Sequence, residues 1–595
     1  MRSNTLLEVM LKYSQSDQTT SALHCWNAND KAYISVSYHD LSQRAFSFGA
    51  KLANASSGTP EKRVVMIACH SPYATLVAFY GAISVGAIPM IFPMPLALGS
   101  HKALSERIQH WGYAFNEPAL LVLEEGLVEK FHEDIPDDIK VLRVKDDPSE
   151  DSGEWQQQAL PASNYLPTKD DIAFFQTTSS STGDHKAVSI SHENIIANVT
   201  GIKQASNMDD NERMATWLPL FHDMGLVGTV LFCFGNDYPL YIMTPTQFVK
   251  RPINWLTTLS DHHCTIATAP NFGFDYCTRL VSDKDVSNLD LSRVKHLYIG
   301  AEPIRVSTVN GFIEKFASCG ITPQKIRPAY GLAESTIITS IFDPEGIANF
   351  IYLDADSIGM GEAVTILDKV TFDDAKLANY DASKTMAVCT AGTAINDMRI
   401  EIVDENGELV DEGIAGEIAL TGTSVAMGYV GGDSGQLVDR FPAERLRTGD
   451  MGTIIEGELY ILERLKNLII RNGENYLVSA LEEQLADLLS ISHEHIAVFD
   501  SDIHDPSSPI VVLVERHKSL SDEQVDALLV SMPKEAFPID RILLSRSREI
   551  PRTTSGKKRH FYCRKIYQKD EMVFQQSIDI SPQRIMQAMN KHKES

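Results

Sequence analysis

The 595-residue sequence has no paired-cysteine framework: its eight cysteines stand at 25, 69, 233, 264, 277, 319, 389 and 563, with no CxxC pair. That scatter excludes a disulfide-stapled secreted scaffold and makes a reduced compartment, the cytoplasm, the expected location. Zinc pairs are missing too, since "DHHC" with Cys277 thirteen positions on is not two tight ligand pairs. Positive charge is scarce, with 53 Lys and Arg against 79 Asp and Glu and a formal net charge of −26. No nucleic-acid partner is expected, because an extended phosphate backbone needs a basic face to displace its counterions. The opening "MRSNTLLEVMLKYSQ" has neither an apolar signal core nor a small-residue cleavage site. One charge-free run, Ala74 to Phe92, approaches the length of a membrane span. Its interior Gly81, Gly86 and Pro89 instead predict a buried helix of about a dozen residues, a glycine stop and a short buried strand, so no transmembrane segment is expected.

What is present is ordinary globular material, 43% hydrophobic and 22% charged, long enough for several domains. "RVVMIAC" (63–69), "ALLVL" (119–123), "CTIATA" (264–269), "HLYIGA" (296–301) and "KIRPAYG" (325–331) read as strands between helical stretches. Apolar strands separated by helices imply sheets covered on both faces, hence an α/β class. After about residue 390, "MRIEIVDENGELV", "AGEIALTG" and "GTIIEGELYILER" alternate apolar with polar residues around tight turns, which predicts a small antiparallel β unit. A last compact unit starts near Lys466, with a helix at "SALEEQLADLLS" and strands at "HIAVFD" and "PIVVLVE". From Arg541 onward thirteen Lys or Arg face five Asp or Glu, a local +8 on a body of about −34, as expected of a unit that meets an anion. The tail after about residue 570 is polar and expected to be loosely held. No internal repeat is visible.

The chemistry centres on "IAFFQTTSSSTGDHKAVSISHENIIANV", which reads as strand, loop and helix, with "SHEN" offering a helix N-cap. A Ser/Thr/Gly loop after a strand can present backbone N–H groups and hydroxyls to phosphate, while Lys186 adds charge. It is not a Walker A loop, because Lys186 follows Gly183 by three positions. Alone, such a string is as often a solvated linker.

Five further stretches follow it in order: "AYGLAES" (329–335), "GEIALTG" (416–422), "RTGD" (447–450), "ERLKNLIIRNGENYLVSALEE" (463–483) and "PRTTSGKKRH" (551–560). With the loop they resemble the motif series of the adenylate-forming enzymes, the superfamily of acyl-CoA synthetases, adenylation domains and luciferases. "TWLPLFHDMGLVG" (216–228), "FVKRPINWLTTLSDHHCTIATAPNFGFDYC" (248–277) and "LDLSRVKHLYIGAEPIR" (289–305) are similar to segments of the fatty acyl-AMP ligases. The resemblance runs nearly the whole chain. It implies an N-terminal adenylation domain over 1–465, made of α/β subdomains and a small antiparallel β subdomain, followed by a mobile α+β lid over 466–595 hinged at Lys466.

By that resemblance ATP is the nucleotide and Mg²⁺ its metal. Thr178, Ser179, Ser181, Thr182, Gly183 and Lys186 would hold the β- and γ-phosphates. Tyr330 would stack on adenine, with Gly300, Ala301 and Glu302 on its other face and Gly331 and Ser335 in the same motif. Glu334 would hold Mg²⁺, a role suited to a hard oxygen beside phosphate. Asp450 would accept both ribose hydroxyls with Arg464 near the same sugar, and Lys557 would bridge the substrate carboxylate and α-phosphate. His222 would wall the adenylate site from the acyl tunnel. Each residue type has a bland alternative as well: core aromatic, surface carboxylate, turn-closing Asp, or a solvated basic patch in which Lys558 rivals Lys557.

Two positions depart from the family loop, which has glycine where this chain has Ser180 and Ala187. A Cβ there would hinder close backbone approach if φ were positive. From Glu334 to Gly392 is 58 positions, longer than compact acyl-CoA synthetases use. The excess, about 343–376, resembles the insertion that marks acyl-AMP ligases and would brace the lid against productive use of coenzyme A. The expected reaction is therefore activation of a medium- or long-chain fatty acid to acyl-adenylate, with pyrophosphate release, then transfer to the phosphopantetheine thiol of an acyl carrier protein. The alternatives are a fatty acyl-CoA synthetase and an inactive acyl-adenylate-binding relative.

Overall fold

The computed structural model describes residues 3–16, 22–28, 30–56, 62–94, 101–115, 119–131, 135–149, 165–177, 186–374, 385–431, 437–441, 445–471, 474–502, 508–516, 518–531, 538–546, 548–552 and 558–594. Among them, two large sheets dominate, one of nine strands and one of eight. The nine-stranded sheet has a parallel centre with antiparallel strands at both edges, while the eight-stranded sheet is antiparallel on one side and parallel through to its other edge. The parallel strands Val64–Ala68, Leu120–Glu124, Ile266–Pro270 and His296–Gly300 are buried almost throughout, as all-apolar runs predict. The helices Tyr38–Ala55 and Pro72–Ser84 pack on each other, and their buried faces join one hydrophobic core drawing on both large sheets.

The charge-free run folds as its glycines and proline predict. Pro72–Ser84 is a fully buried helix, Gly86 turns the chain at φ +75°, and Ile88–Ile91 is a buried strand. A Cβ on Gly86 would stand 2.4 Å from the Tyr165 ring, so glycine is required there twice over, by conformation and by space. No helix among the described residues is long and apolar enough to cross a membrane.

Beyond residue 390 the hairpin pattern becomes an antiparallel sheet of Arg399–Val403, Gly416–Thr421, Leu446–Ile455 and Glu458–Arg464. The "EGE" turn closes it with Glu456 and Gly457 both at positive φ, the geometry that matches a right-handed strand twist. The long spacing after Glu334 contains a three-stranded antiparallel sheet, Asn349–Asp354 between Ile366–Thr371 and Thr385–Cys389. Its Ile351, Leu353 and Val388 share a core with Met451, Tyr460 and Leu477, while Leu465, Leu468 and Ala480 pack against that core. The segment is thus a folded sheet seated on the hinge region, not a surface loop.

The last unit has its own core under a mixed four-stranded sheet, Ile496–Asp500, Ile510–Glu515, Arg541–Ser545 and Gln576–Asp579. Here the expectation of a loosely held tail is corrected. Gln576–Asp579 is the fourth strand, pairing with Arg541–Ser545, and the helix Pro582–Glu594 packs on Asp522–Ser531. Ile578, Ile580 and Ala588 supply the buried anchors, too widely spaced in a polar background to register as a hydrophobic pattern.

Candidate active site

The phosphate-loop candidates Thr178, Ser179, Ser181, Thr182 and Gly183, and Ser180 with them, lie outside the described residues. The segments on either side are described, and they correct the strand, loop and helix reading. Ile172–Thr177 is followed after the loop by a second strand, Lys186–Ser191, antiparallel to it with Thr177 opposite Ala187. The helix begins only at His192, so its N-terminal N–H groups do not face the loop. Ser191 and Asn194 form the capping box that "SHEN" predicts. Ala187 is a buried strand residue packed in the core, and no positive φ is recorded there, so its Cβ meets no glycine-only requirement.

That helix organises the Glu334 turn. Asn198 Nδ2 donates to Ile338 O at 2.8 Å and to Ser335 O at 3.3 Å, and Asn194 Nδ2 donates to Thr423 O at 2.7 Å and Val425 O at 3.0 Å. The strand Ile326–Gly331 ends in a bulge between Tyr330 and Gly331, then a 3₁₀ turn over Ala333–Ser335. A Cβ on Gly331 would lie 1.6 Å from Ile337 O, so the turn exists only with glycine. Ser335 is fully buried and spends its hydroxyl inside the turn, on Leu332 O at 3.1 Å and Thr339 Oγ1 at 2.8 Å. Glu334 is half-buried, and one carboxylate oxygen, Oε1, accepts the hydroxyl of Tyr429. Lys186 Nζ sits 5.5 Å from the centre of that same ring.

Tyr330, at the end of its strand, donates its hydroxyl to Asp450 Oδ2 at 2.7 Å. Burial first, and Asp450 next, push its phenol well above the ordinary value, so it stays a donor. Asp450 Oδ1 receives Arg464 Nε at 2.8 Å across the hairpin, where the two residues are register partners. Glu417 fixes the turn before Asp450, accepting Gly449 N–H at 2.8 Å and Arg447 Nε at 2.5 Å. Lys466 lies within electrostatic reach of Arg464, Asp450 and Glu334. Glu334, Tyr330, Asp450 and Arg464, separated by up to 134 positions in the sequence, are thereby brought to one edge of the nine-stranded sheet and the hairpin beside it.

The strand His296–Gly300 runs parallel to Ile326–Gly331 with Ile299 opposite Pro328, which sets Gly300 and Ala301 beside Tyr330. Ala301 takes a left-handed φ of +66°. Glu302 Oε1 accepts Phe272 N–H at 2.6 Å, at the start of the helix Asn271–Leu280, so its carboxylate organises that helix start. His222 caps a one-turn helix, its Nδ1 accepting Met224 N–H at 3.2 Å and standing 2.5 Å from Asp223 Oδ1. Gln176, in the strand before the loop, donates to Phe221 O at 2.8 Å and ties this corner to it. Beside His222, Pro219, Leu220 and Phe221 line a cleft of about 380 Å³ with His70, Lys130 and Met243.

Lys557 lies outside the described residues, but its neighbour Lys558 does not. Lys558 Nζ is buried against Glu482 and donates to His493 O at 3.0 Å and Ile496 O at 2.7 Å. His560 Nε2 meets the other Glu482 oxygen at 2.6 Å. Burial alone would raise the Glu482 carboxyl, yet Lys558 and His560 hold it down at about 2. The loop containing Lys557 is closed by a bridge between Arg552 and Lys558, and Arg552 is itself paired to Glu494 at 2.9 Å. Glu494 also stands 4.0 Å from Arg305, a contact between the last unit and the main body. Sequence reasoning missed Tyr429, Asn194, Asn198 and Glu482 as parts of this arrangement, because each acts through a partner more than 75 positions away.

Comparison with known proteins agrees with this geometry. A family model described as AMP-binding enzyme matches residues 14–430. The medium-chain fatty acid acyl-carrier-protein ligase TtuA of Teredinibacter turnerae is 32% identical over 410 residues, covering 65% of this chain and 62% of that protein. The chain therefore spans under two thirds of that relative's length. The long-chain fatty acid AMP ligase FadD32 of Mycolicibacterium smegmatis is 29% identical over 591 residues and 89% of each chain. A solved structure from studies of fatty acyl-adenylate ligases of E. coli and L. pneumophila superposes with a TM-score of 0.80 at 26% identity, covering 95% of this chain and 98% of that one. The resemblance to fatty acyl-AMP ligases read from the motifs is borne out by these relatives, as is the α/β class.

Proposed function

This chain belongs to the AMP-binding enzyme family, and on that premise we propose that it is a fatty acyl-AMP ligase that loads an acyl carrier protein. The observation that carries the reading is the convergence of Tyr330, Asp450, Arg464 and Glu334 on one sheet edge, with Lys186 at the end of the Ser/Thr loop. Tyr330 and the Gly300–Ala301–Glu302 turn take the adenine, with Gly331 and Ser335 shaping the turn below it. Asp450 exchanges the partners it holds here for the ribose hydroxyls, with Arg464 beside the sugar. Thr178, Ser179, Ser181, Thr182, Gly183 and Lys186 hold the β- and γ-phosphates.

Glu334 fits a Mg²⁺ ligand. No group of three or more His, Cys, Asp or Glu among the described residues forms a metal cage, and Mg²⁺ on ATP needs only one or two carboxylates besides the phosphates. When bound, Mg²⁺ neutralises phosphate charge. A fatty acid carboxylate oxygen attacks the α-phosphorus, the bond to the bridging oxygen breaks, and pyrophosphate leaves with that electron pair. Lys557 neutralises both reacting groups, so catalysis is positioning and electrostatics. In the second half-reaction a phosphopantetheine thiolate attacks the acyl carbonyl, forms the thioester and expels AMP.

The body 1–465 and the lid 466–595 turn about Lys466 between these steps. The three-stranded sheet seated on Leu465, Leu468, Leu477 and Ala480 limits that rotation, which favours an acyl-AMP ligase over an acyl-CoA synthetase. Fatty acid and acyl carrier protein are the partners, as the name of TtuA supports for both and that of FadD32 for the fatty acid; the scattered cysteines support a cytoplasmic location. Incubation with ATP, Mg²⁺ and fatty acids of graded length should release pyrophosphate and, with a phosphopantetheinylated carrier, form acyl-carrier. Accumulation of acyl-CoA on adding coenzyme A would select the synthetase instead.

A further inference from the structure

Tyr429 belongs to none of the motifs that define the site, yet it touches two of its charged members. Its hydroxyl donates to Glu334 Oε1, and Lys186 stands over its ring at 5.5 Å. The residue sits on the strand Gly428–Gly431, which pairs with Lys186–Ser191 in the register Tyr429 to Val188 and Gly431 to Lys186. Just before the strand, Ala426 N–H donates to Glu334 O at 2.9 Å and Met427 N–H to Ser189 O at 3.1 Å, so the same segment is fastened to both elements it joins. Phe441 packs edge-on against the ring at 4.9 Å and limits its rotation.

We propose that Tyr429 is a positioning residue that holds Glu334 for the metal and keeps it from pairing with Lys186. The inference rests on the proposed adenylation reaction. A carboxylate and an ammonium on adjoining elements attract each other, and a direct pair would neutralise both before ATP arrives. The tyrosine separates them by the width of its ring. The electron-rich face satisfies the ammonium, and the hydroxyl satisfies one carboxylate oxygen while fixing the rotamer of the other. Oε2 would then be the oxygen left for Mg²⁺, with Lys186 held apart from the carboxylate by the ring.

The test is Tyr429→Phe in the full chain, which removes one oxygen and keeps the ring. Calorimetric titration of ATP binding at graded Mg²⁺, without fatty acid, should show half-saturating Mg²⁺ raised about tenfold, the scale of one lost hydrogen bond to a charged group. The fatty acid KM and the thermal midpoint should not move. An unchanged Mg²⁺ requirement overturns the proposal, and so does an equal loss of ATP binding without Mg²⁺, which would make the residue merely structural. In a Glu334→Gln background Tyr429→Phe should add nothing; additive losses also overturn it. Wild-type protein that binds no Mg²⁺-ATP at all would instead refute the proposed reaction, leaving the two failures distinct.

Discussion

The two charged clusters of the molecule are built in opposite ways. Around Tyr330, Asp450 and Glu334 hold hydroxyl and guanidinium partners while staying partly exposed, and Arg464 remains 43% exposed on its side chain. In the last unit, Glu482 is buried and fully spent on Lys558, His560 and the Val498 N–H. The first arrangement can exchange its partners for a ligand at small cost, while the second cannot lose one without leaving a buried charge. Lys558 is therefore committed to the fold of the last unit, which supports the proposal that Lys557 is the lysine that reaches the substrate.

The largest effect that tests this contrast is on chemistry. Lys557→Ala should cut fatty-acid-dependent pyrophosphate release on the order of a thousandfold with unchanged circular dichroism, the loss expected of a preorganised charge at the reacting phosphate. Next is Glu482→Gln, which leaves Lys558 without its counter-charge and should destabilise the C-terminal unit by roughly 3 kcal/mol in denaturant titration. A drop in activity with no loss of stability would place Glu482 in the chemistry and dissolve the distinction. Leu477→Ala, in the core shared by the inserted sheet and the hinge, should cost about 2 to 3 kcal/mol and raise whatever acyl-CoA the protein forms. If stability falls while coenzyme A remains unused, the sheet does not restrain the lid.

The smallest effect is on pH. Because the Glu482 carboxyl lies lower in the folded protein, at about 2, than in an unfolded chain, its stabilisation is present above the ordinary carboxylate range. It is lost as pH falls from about 4.5 toward 2, and Glu482→Gln should flatten the stability profile over that window.

The sequence was most readable where one segment carries its own pattern. The buried helix and strand around Gly86, the hairpin at "EGE" and the capping box at "SHEN" each stand where local periodicity and turn chemistry put them. It was least readable where a residue's meaning depends on a distant partner. The strand Lys186–Ser191 looked like the approach to a helix because "KAVSIS" is short and runs straight into the helix at His192; one partner, Ile172–Thr177, is local, but the other, Tyr429 to Gly431, lies some 240 positions on. Tyr429 and Glu482 carried no signal for the same reason. The motif picked Lys557 with Lys558 as its rival, and the burial of Lys558 against Glu482 could not be read from it.

Exchange of labelled pyrophosphate into ATP tests the central claim most directly, comparing the wild-type chain with Lys557→Ala and Lys558→Met. The account predicts exchange that requires a fatty acid, vanishes in Lys557→Ala and persists in folded Lys558→Met. Absence of fatty-acid-dependent exchange in the wild type, or its survival in Lys557→Ala, would contradict it.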